Sequence, residues 1–263
     1  MGLLHLAAGL DGDPGPEAVL LAERGGLDFA TLAGADPLGL LTLTSRIGLV
    51  TEAVPGPGHD RVGLRTEEPG LYGRTADAAV VVAELSSRQG DLQLAARYAD
   101  VVLVRAAGRA QAGDVRAELR GRAASAGRDP DALRVLASLR IDLGGGEHAA
   151  EPGHGGGGPR HTARGPLYRG GPVDLAELIA RWHAEGVTDG FHVVPVEPRR
   201  DLERFVNGTV ALLQHRGLFR TFYPGGTLRE HLGLPHAGAA LAPALAPGSS
   251  PTPSPTLSSP WKG

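Results

Sequence analysis

The chain alternates between short apolar runs and segments in which apolar residues recur every three or four positions. Residues 3–10 form an apolar run that predicts a strand, and residues 16–24 predict a short amphipathic helix whose opening Pro16 suits a first helical turn. Strands are predicted over 29–32 and 47–50. The continuous apolar run over 78–85 predicts a strand covered on both faces, followed by Ser86, Ser87 and a helix to Ala99. A strand over 101–104, a helix over 110–126, a turn at Arg128-Asp129-Pro130-Asp131 and a strand over 133–141 come next. A glycine-rich loop is expected over 144–171. It leads into a helix over 173–185 with Asp174 in its first turn, a strand over 191–196 and a long helix over 201–216.

Strands alternating with helices imply a mainly parallel sheet. About seven strands are recognisable where a closed (β/α)8 barrel needs eight, so the expected fold is an α/β, TIM-barrel-like but incomplete one. The shortfall lies between Val54 and Asp77, where Pro55-Gly56-Pro57-Gly58 opens a stretch without periodicity. Residues 1–235 are expected to form this barrel domain. From Ala237 onward the chain is almost entirely Ala, Pro, Ser, Thr and Gly, so residues 236–263 are expected to be a disordered tail, too poor in apolar surface to offset the entropy of ordering.

Composition narrows the classes. Aromatic residues are only 4%, so the core must be built from Leu, Val and Ala. A net charge of −3 with a pI near 6.4 gives no electrostatic reason to expect nucleic acid or an anionic membrane as partner. Cysteine is absent, which excludes disulfides, thiol nucleophiles and sulfur-ligated zinc. With no basic leader and no apolar run approaching about 18 residues, a cytoplasmic protein is expected. The 40 Gly, 21 Pro and single lysine, Lys262, reflect a GC-rich coding bias, so arginine by itself says little about recognition here.

Two places carry candidate chemistry. Ser86 and Ser87, at a strand-to-helix junction, suit either an anion such as a phosphate or an ordinary N-cap. His148, His154 and His161 share the glycine-rich loop, but their spacing fits no compact metal pattern and no metal is expected. No nucleophile elbow, phosphate-binding P-loop or dinucleotide fingerprint is present.

Four stretches resemble luciferase-like flavin-dependent monooxygenases, specifically the nitrilotriacetate and dibenzothiophene-sulfone monooxygenase branch. They are Ala22-Glu23-Arg24-Gly25-Gly26-Leu27-Asp28-Phe29; Leu43-Thr44-Ser45-Arg46-Ile47-Gly48-Leu49-Val50; Ser86-Ser87-x-x-Gly90 with Leu94-Ala95-Ala96-Arg97-Tyr98-Ala99-Asp100-Val101-Val102; and Asp189-Gly190-Phe191-His192-Val193-Val194-Pro195. The last is followed by Leu213-Gln214-x-Arg216-Gly217-Leu218-Phe219-Arg220-Thr221 and Thr227-Leu228-Arg229-Glu230-His231-Leu232-Gly233-Leu234.

The resemblance implies a (β/α)8 barrel that binds reduced FMN at the C-terminal ends of its strands, activates O2 and acts on a small organic substrate, with a flavin reductase as possible partner. It places Ser86, Ser87 and Gly90 at the flavin phosphate and transfers no catalytic side chain. The chain departs from the family in three places. Leu85 stands at the family's glycine, and Asp11-Gly12-Asp13-Pro14-Gly15 replaces the early aromatic and histidine residues. After the third strand, Thr51 to His59 replaces a threonine- and histidine-bearing segment, and the following strand is missing. The alternative is a non-catalytic, degenerate member acting as a binding or subunit partner. A free barrel edge would favour a homo-oligomer. A deazaflavin-dependent reductase on the same fold is a further possibility.

A chain ended at Ala237 should keep its thermal midpoint within a degree or two, whereas one ended at Arg216 should lose solubility. Scanning calorimetry of the two truncations checks both, and a large loss from the first cut overturns the tail assignment.

Overall fold

The structure, a computed structural model, describes residues 2–11, 15–33, 37–52, 64–67, 80–85, 89–144 and 158–235. The apolar runs become β1 (His5–Asp11), β2 (Phe29–Ala33), β3 (Gly48–Glu52), β5 (Val81–Glu84), β6 (Val101–Val104), β7 (Arg134–Asp142) and β9 (Gly190–Pro195). Between them lie α1 (Pro16–Arg24), α2 (Pro37–Leu41), α3 (Gln89–Tyr98), α4 (Arg109–Ser125) and α5 (Pro172–Ala184). Two further strands, β4 (Leu64–Glu67) and β8 (Leu167–Arg169), had no signal in the hydrophobic pattern.

The seven strands read from the sequence are mutually parallel and form most of a ring. The expected gap after β3 is bridged by β4, which runs antiparallel to both β3 and β5. The described strands therefore leave no open edge at that point, and the free edge invoked for a homo-oligomer is not there. The loop expected over 144–171 also contains structure. β8 pairs with the upper part of β7, above the stretch of β7 that pairs with β6. The last long helix starts earlier than its apolar pattern, as α6 (Pro198–Arg204), because Pro198 supplies the first turn; it continues through a π-helical segment (Phe205–Val210) into α7 (Ala211–His215). The tail expected over 236–263 lies outside the described residues.

The parallel neighbours are clasped at their N-terminal ends by a repeated device. Asp28, Asp100 and Asp189 each stand just before a strand, and each backbone N–H donates to the strand beside it: to the carbonyls of Leu6, Val81 and Val135 at 2.7, 2.8 and 2.9 Å. Each carboxylate in turn accepts the N–H of that same residue, at 2.8 Å from Leu6, 3.0 Å from Val81 and 2.8 Å from Val135. An arginine completes every clasp: Arg220 on Asp28 at 2.8 Å, Arg229 on Asp100 at 3.0 Å and Arg116 on Asp189 at 2.7 Å. Charge-assisted bonds of this kind are the strong ones.

Two apolar layers result. Outward-facing strand residues such as Ala137, Leu139, Phe191 and Val193 pack against the helices, together with Leu175, Ile179 and Trp182. Inward-facing Ala7, Phe29, Val50, Val82, Leu103 and Leu136 fill the lower half of the barrel. The base is plugged by the C-terminal segment: Leu228, in α8 (Leu228–His231), enters the barrel with Leu232 and Leu234. Gly48 makes room for it, since a Cβ there would stand 2.6 Å from Leu228 Cδ2. Thr227 and Glu230 cap α8 reciprocally, and His231 Nε2 lies 3.0 Å from the Gly225 carbonyl. Arg134 donates to the carbonyls of Leu232 and Gly233 at 2.8 and 2.9 Å. Arg229, Glu230 and His231 thus pin the plug.

Asp28 is the most buried of the three clasps, with Arg220 itself lying over the rings of Phe219 and Tyr223. Burial pushes its carboxyl upward, but His5 and Arg220 outweigh that and hold it below the usual carboxylate range. A lowered folded value stabilises the native state above the unfolded value of about 3.9, and the contribution is lost as pH falls below it. Asp28→Asn should cost about 3 kcal/mol at neutral pH, by leaving Arg220 uncompensated, and should make the acid limb of the stability curve shallower. Urea titrations of both proteins between neutral and acid pH check this; parallel acid limbs would refute it.

Candidate functional site

The seven parallel strands direct their C-terminal ends to one rim, where barrel enzymes carry their sites. Inward positions recur every second residue, and along each strand they change character. On β7 the outward Val135, Ala137, Leu139 and Ile141 are all apolar, whereas the inward series runs Leu136, Ser138, Arg140. β2 passes from Phe29 to Thr31, β5 from Val82 to Glu84, and the β6 phase from Leu103 to Arg105. An apolar floor therefore gives way to a polar mouth. The resulting cleft has a volume of about 300 Å³.

His192, on β9, is the centre of the floor of this cleft. It is 3% exposed and is held from both sides: Nε2 lies 3.0 Å from Thr31 Oγ1, and Nδ1 lies 3.0 Å from Ser138 Oγ. Strand register brings these together. Ser138 is directly opposite His192 across the β7–β9 pair, and Thr31 lies two strands away across β1. The imidazole reaches Thr31 because β1 carries glycine at the crossing point. A Cβ on Gly9 would stand 3.0 Å from His192 Cε1 and 2.8 Å from Val194 Cγ2. A hydroxyl both donates and accepts, so this pair satisfies either neutral tautomer of His192 and the imidazolium as well. A proton can be held at Nδ1 or Nε2 without breaking the site.

Above His192 the charges are uneven. Arg105 is neutralised by Glu84, with Nε donating at 2.8 Å. Arg140, half-buried, and Arg164, exposed, also line the cleft. Arg164 is placed by a tight turn: the N–H of Thr162 and the N–H of Gly165 each donate to the other residue's carbonyl, at 3.1 and 3.0 Å, and Gly165 adopts φ +104°. Arg160 and Leu167 close the turn with two further backbone bonds of 2.9 and 2.8 Å.

Of the residues expected at a phosphate, Ser86 and Ser87 lie outside the described residues, and Gly90 sits in the first turn of α3. Leu85, which stands at the family's glycine, belongs to the outward phase of β5: its side chain packs against the helix-side core and its N–H donates to the Leu103 carbonyl at 3.1 Å. His59, His148 and His154 are outside the described residues, and His161 is exposed. Among the described residues no group of three or more His, Asp or Glu side chains could hold a metal ion. Thr31, Ser138, His192 and Arg140 were not singled out from the sequence. Their signal was an inward i, i+2 series interrupted by polar residues within strands that otherwise read as apolar, and it needs the strand's inward phase to be read.

The described strands define an α/β, TIM-barrel-like fold with a polar mouth at its strand C-termini. No family model matches the chain. Over 65 residues it is 45% identical to nitrilotriacetate monooxygenase component A of Aminobacter aminovorans, a match covering 25% of this chain and 14% of that protein. Over 69 residues it is 41% identical to the dibenzothiophene-sulfone monooxygenase of Rhodococcus erythropolis, covering 26% of this chain and 15% of that protein. The matched stretch thus spans well under a fifth of either relative's length. Among solved structures, the EDTA monooxygenase from Chelativorans sp. BNC1 superposes with a TM-score of 0.60 at 16% identity, over 89% of this chain and 98% of that one. The resemblance to luciferase-like monooxygenases, in their nitrilotriacetate and dibenzothiophene-sulfone branch and in abridged form, is shown by sequence over a quarter of the chain and by fold over most of it.

Gly9→Ala should force His192 off Thr31 at a cost of about 1–3 kcal/mol, as overpacking of a filled interior does. Imidazole resonances, assigned by their loss in His192→Gln, should shift in the glycine variant; unchanged resonances and an unchanged thermal midpoint would refute the crossing-point role.

Proposed function

We propose that this chain is a flavin-dependent oxidoreductase, a monooxygenase that uses reduced FMN and O2 on a small organic substrate, with a separate flavin reductase as partner. The observation that carries the reading is the cleft itself: a polar mouth over an apolar floor, at the strand ends of a barrel related to the luciferase-like monooxygenases. Dibenzothiophene-sulfone monooxygenase and nitrilotriacetate monooxygenase are monooxygenases by name, which supports the reaction class.

The residues present fit a phosphate-bearing flavin. A volume of about 300 Å³ is at the lower end of ligand pockets, which run from about 300 to 1,000 Å³. Glu84, at the end of β5, forms part of its wall, and the chain runs from there through Ser86 and Ser87 to Gly90 in the first turn of α3. In this reading Ser86, Ser87 and the backbone at Gly90 hold the phosphate, at the positive end of a ten-residue helix. When bound, reduced FMN supplies the two electrons with which one atom of O2 enters the substrate and the other leaves as water.

The chain's own side chains do the rest. Phe29, Leu103 and Leu136 keep water from below the site. Glu84 holds Arg105 against the wall. His192, locked between two hydroxyls, holds or releases a proton at the floor of the cleft, and its fixed ring orientation is the kind of preorganisation that proton transfer needs.

Anaerobic titration with reduced FMN, followed by admission of air, tests the proposal. Saturable binding in the low micromolar range, and reoxidation at a rate distinct from that of free reduced flavin, is the expected result. Absence of binding at tens of micromolar flavin would overturn it in favour of a remodelled barrel that serves as a binding or subunit partner.

A further inference from the structure

Among the described residues lining the cleft, three arginines stand beside one carboxylate. Arg105 has Glu84, but neither Arg140 nor Arg164 has an acceptor for its guanidinium among the described residues. Elsewhere the pattern differs: Arg200 and Arg169 share Asp142, at 2.8 and 2.9 Å, on the outer side of the same β7–β8 corner. Arg140 thus differs from Arg200, its neighbour at this corner, in having no carboxylate beside it among the described residues.

Both arginines are also firmly placed. Arg140 is in the inward phase of β7, two residues above Ser138, and its N–H is fixed to the Pro166 carbonyl at 2.8 Å. Arg164 is at the tip of the turn that the Thr162 hydroxyl ties down, accepting the Arg164 N–H at 3.2 Å and donating to the Gly165 carbonyl at 2.6 Å. A half-buried guanidinium without a counter-charge gives up part of its hydration and receives nothing in return, unless something from outside supplies the acceptor. Arginine's planar fork matches a carboxylate, sulfonate or phosphate, and two forks converging on one cleft define where such a group would sit. The coding bias toward arginine does not bear on this, because a lysine at either position would stand equally without a counter-charge among the described residues.

We propose that Arg140 and Arg164 form an oxyanion-binding subsite at the rim of the mouth, over His192, and that the ligand of this cleft carries an anionic oxygen group there. The proposal rests on reading the mouth as a ligand site but not on the ligand being a flavin. The group could belong to an organic acid substrate or to the flavin's own phosphate, and the test separates the two.

Calorimetric titrations of the full chain with inorganic phosphate and with citrate, without flavin, probe the subsite directly. Wild type should bind at least one of them saturably, more weakly as salt is raised. Arg140→Gln should weaken that binding at least tenfold, Arg164→Gln severalfold, and Arg140→Lys should restore part of it. Arg199→Gln, on α6 and paired with Glu203 away from the cleft, should change nothing. Because Arg164 is exposed on a turn, its variant keeps the test valid even if the Arg140 variants fold poorly.

Parallel titrations with oxidised FMN and riboflavin identify the source. A tenfold loss for FMN but not for riboflavin in Arg140→Gln assigns the subsite to the flavin phosphate. Loss for phosphate or citrate with FMN binding unchanged assigns it to a separate organic anion. Loss for the simple anions in a protein that binds neither flavin keeps the subsite and removes the flavin reading. Wild type and both glutamine variants binding phosphate, citrate and FMN alike would overturn the subsite.

Discussion

The clasp made by an aspartate before a strand is the interaction on which the remaining architecture depends. Asp28, Asp100 and Asp189 each exchange two backbone-level hydrogen bonds with the first residues of the neighbouring strand, so each fixes register as well as adjacency. In a parallel barrel register decides everything above it, because a slip of one residue turns every side chain to the opposite face. With β7 displaced by one position, Ser138 and Arg140 would face the apolar helix layer and Ala137 and Leu139 the cleft. Burying an unpartnered guanidinium among leucines costs several kcal/mol, so the clasps and the polar mouth exclude the same misregistered states. A few ion pairs at the bottom of the barrel thereby determine which residues meet at the top.

What the strands cannot do is fill their own base. Inward residues there range from Ala7 to Phe29, and the space left between them is taken up by Leu228, Leu232 and Leu234. Each buried leucine is worth about 1.5–3 kcal/mol, so the three together are comparable with the net stability of an ordinary domain, about 5–15 kcal/mol. Arg229 joins this plug to the clasps, since it bonds Asp100 while its own helix enters the barrel. The sequence from Leu213 to Leu234, which carries so much of the family resemblance, is therefore best understood as closure of the core. Its match says that the barrel is built in the family's way and leaves the chemistry of the mouth to other residues.

Much of the fold was legible in the sequence for the same reason that the site was not. Strands buried on both faces read as continuous apolar runs, and that made β5, β6 and β7 visible as strands. It also concealed their inward phase, because Val135 and Leu136 look alike until the neighbouring strands are known. His192 stood inside a recognised stretch without any sign that Thr31, 161 residues earlier, would meet it across Gly9. The clasps were written three times, as Leu27-Asp28-Phe29, Ala99-Asp100-Val101 and Thr188-Asp189-Gly190-Phe191, yet an aspartate at a helix-to-strand junction also suits an ordinary turn. β4 and β8 were missed because four- and three-residue strands held by pairing alone need no periodicity of their own.

The same division explains how the fold can be shared with a solved structure at only 16% identity. Outward residues must satisfy a helix layer and the base must be plugged, which are demands on size and polarity that many sequences meet. The mouth has no such obligation. A barrel whose eighth place is taken by a short antiparallel strand keeps a continuous ring of backbone hydrogen bonds, and with it the rigidity that positions His192, Arg140 and Arg164. The wall that carries His192 and Arg140 is the one where β7, β9 and β1 pair along most of their length. The chemistry open to the cleft is the chemistry these three strands and the turn at Arg164 can support. Its character is set by a buried histidine able to carry a proton and two cations awaiting an anion.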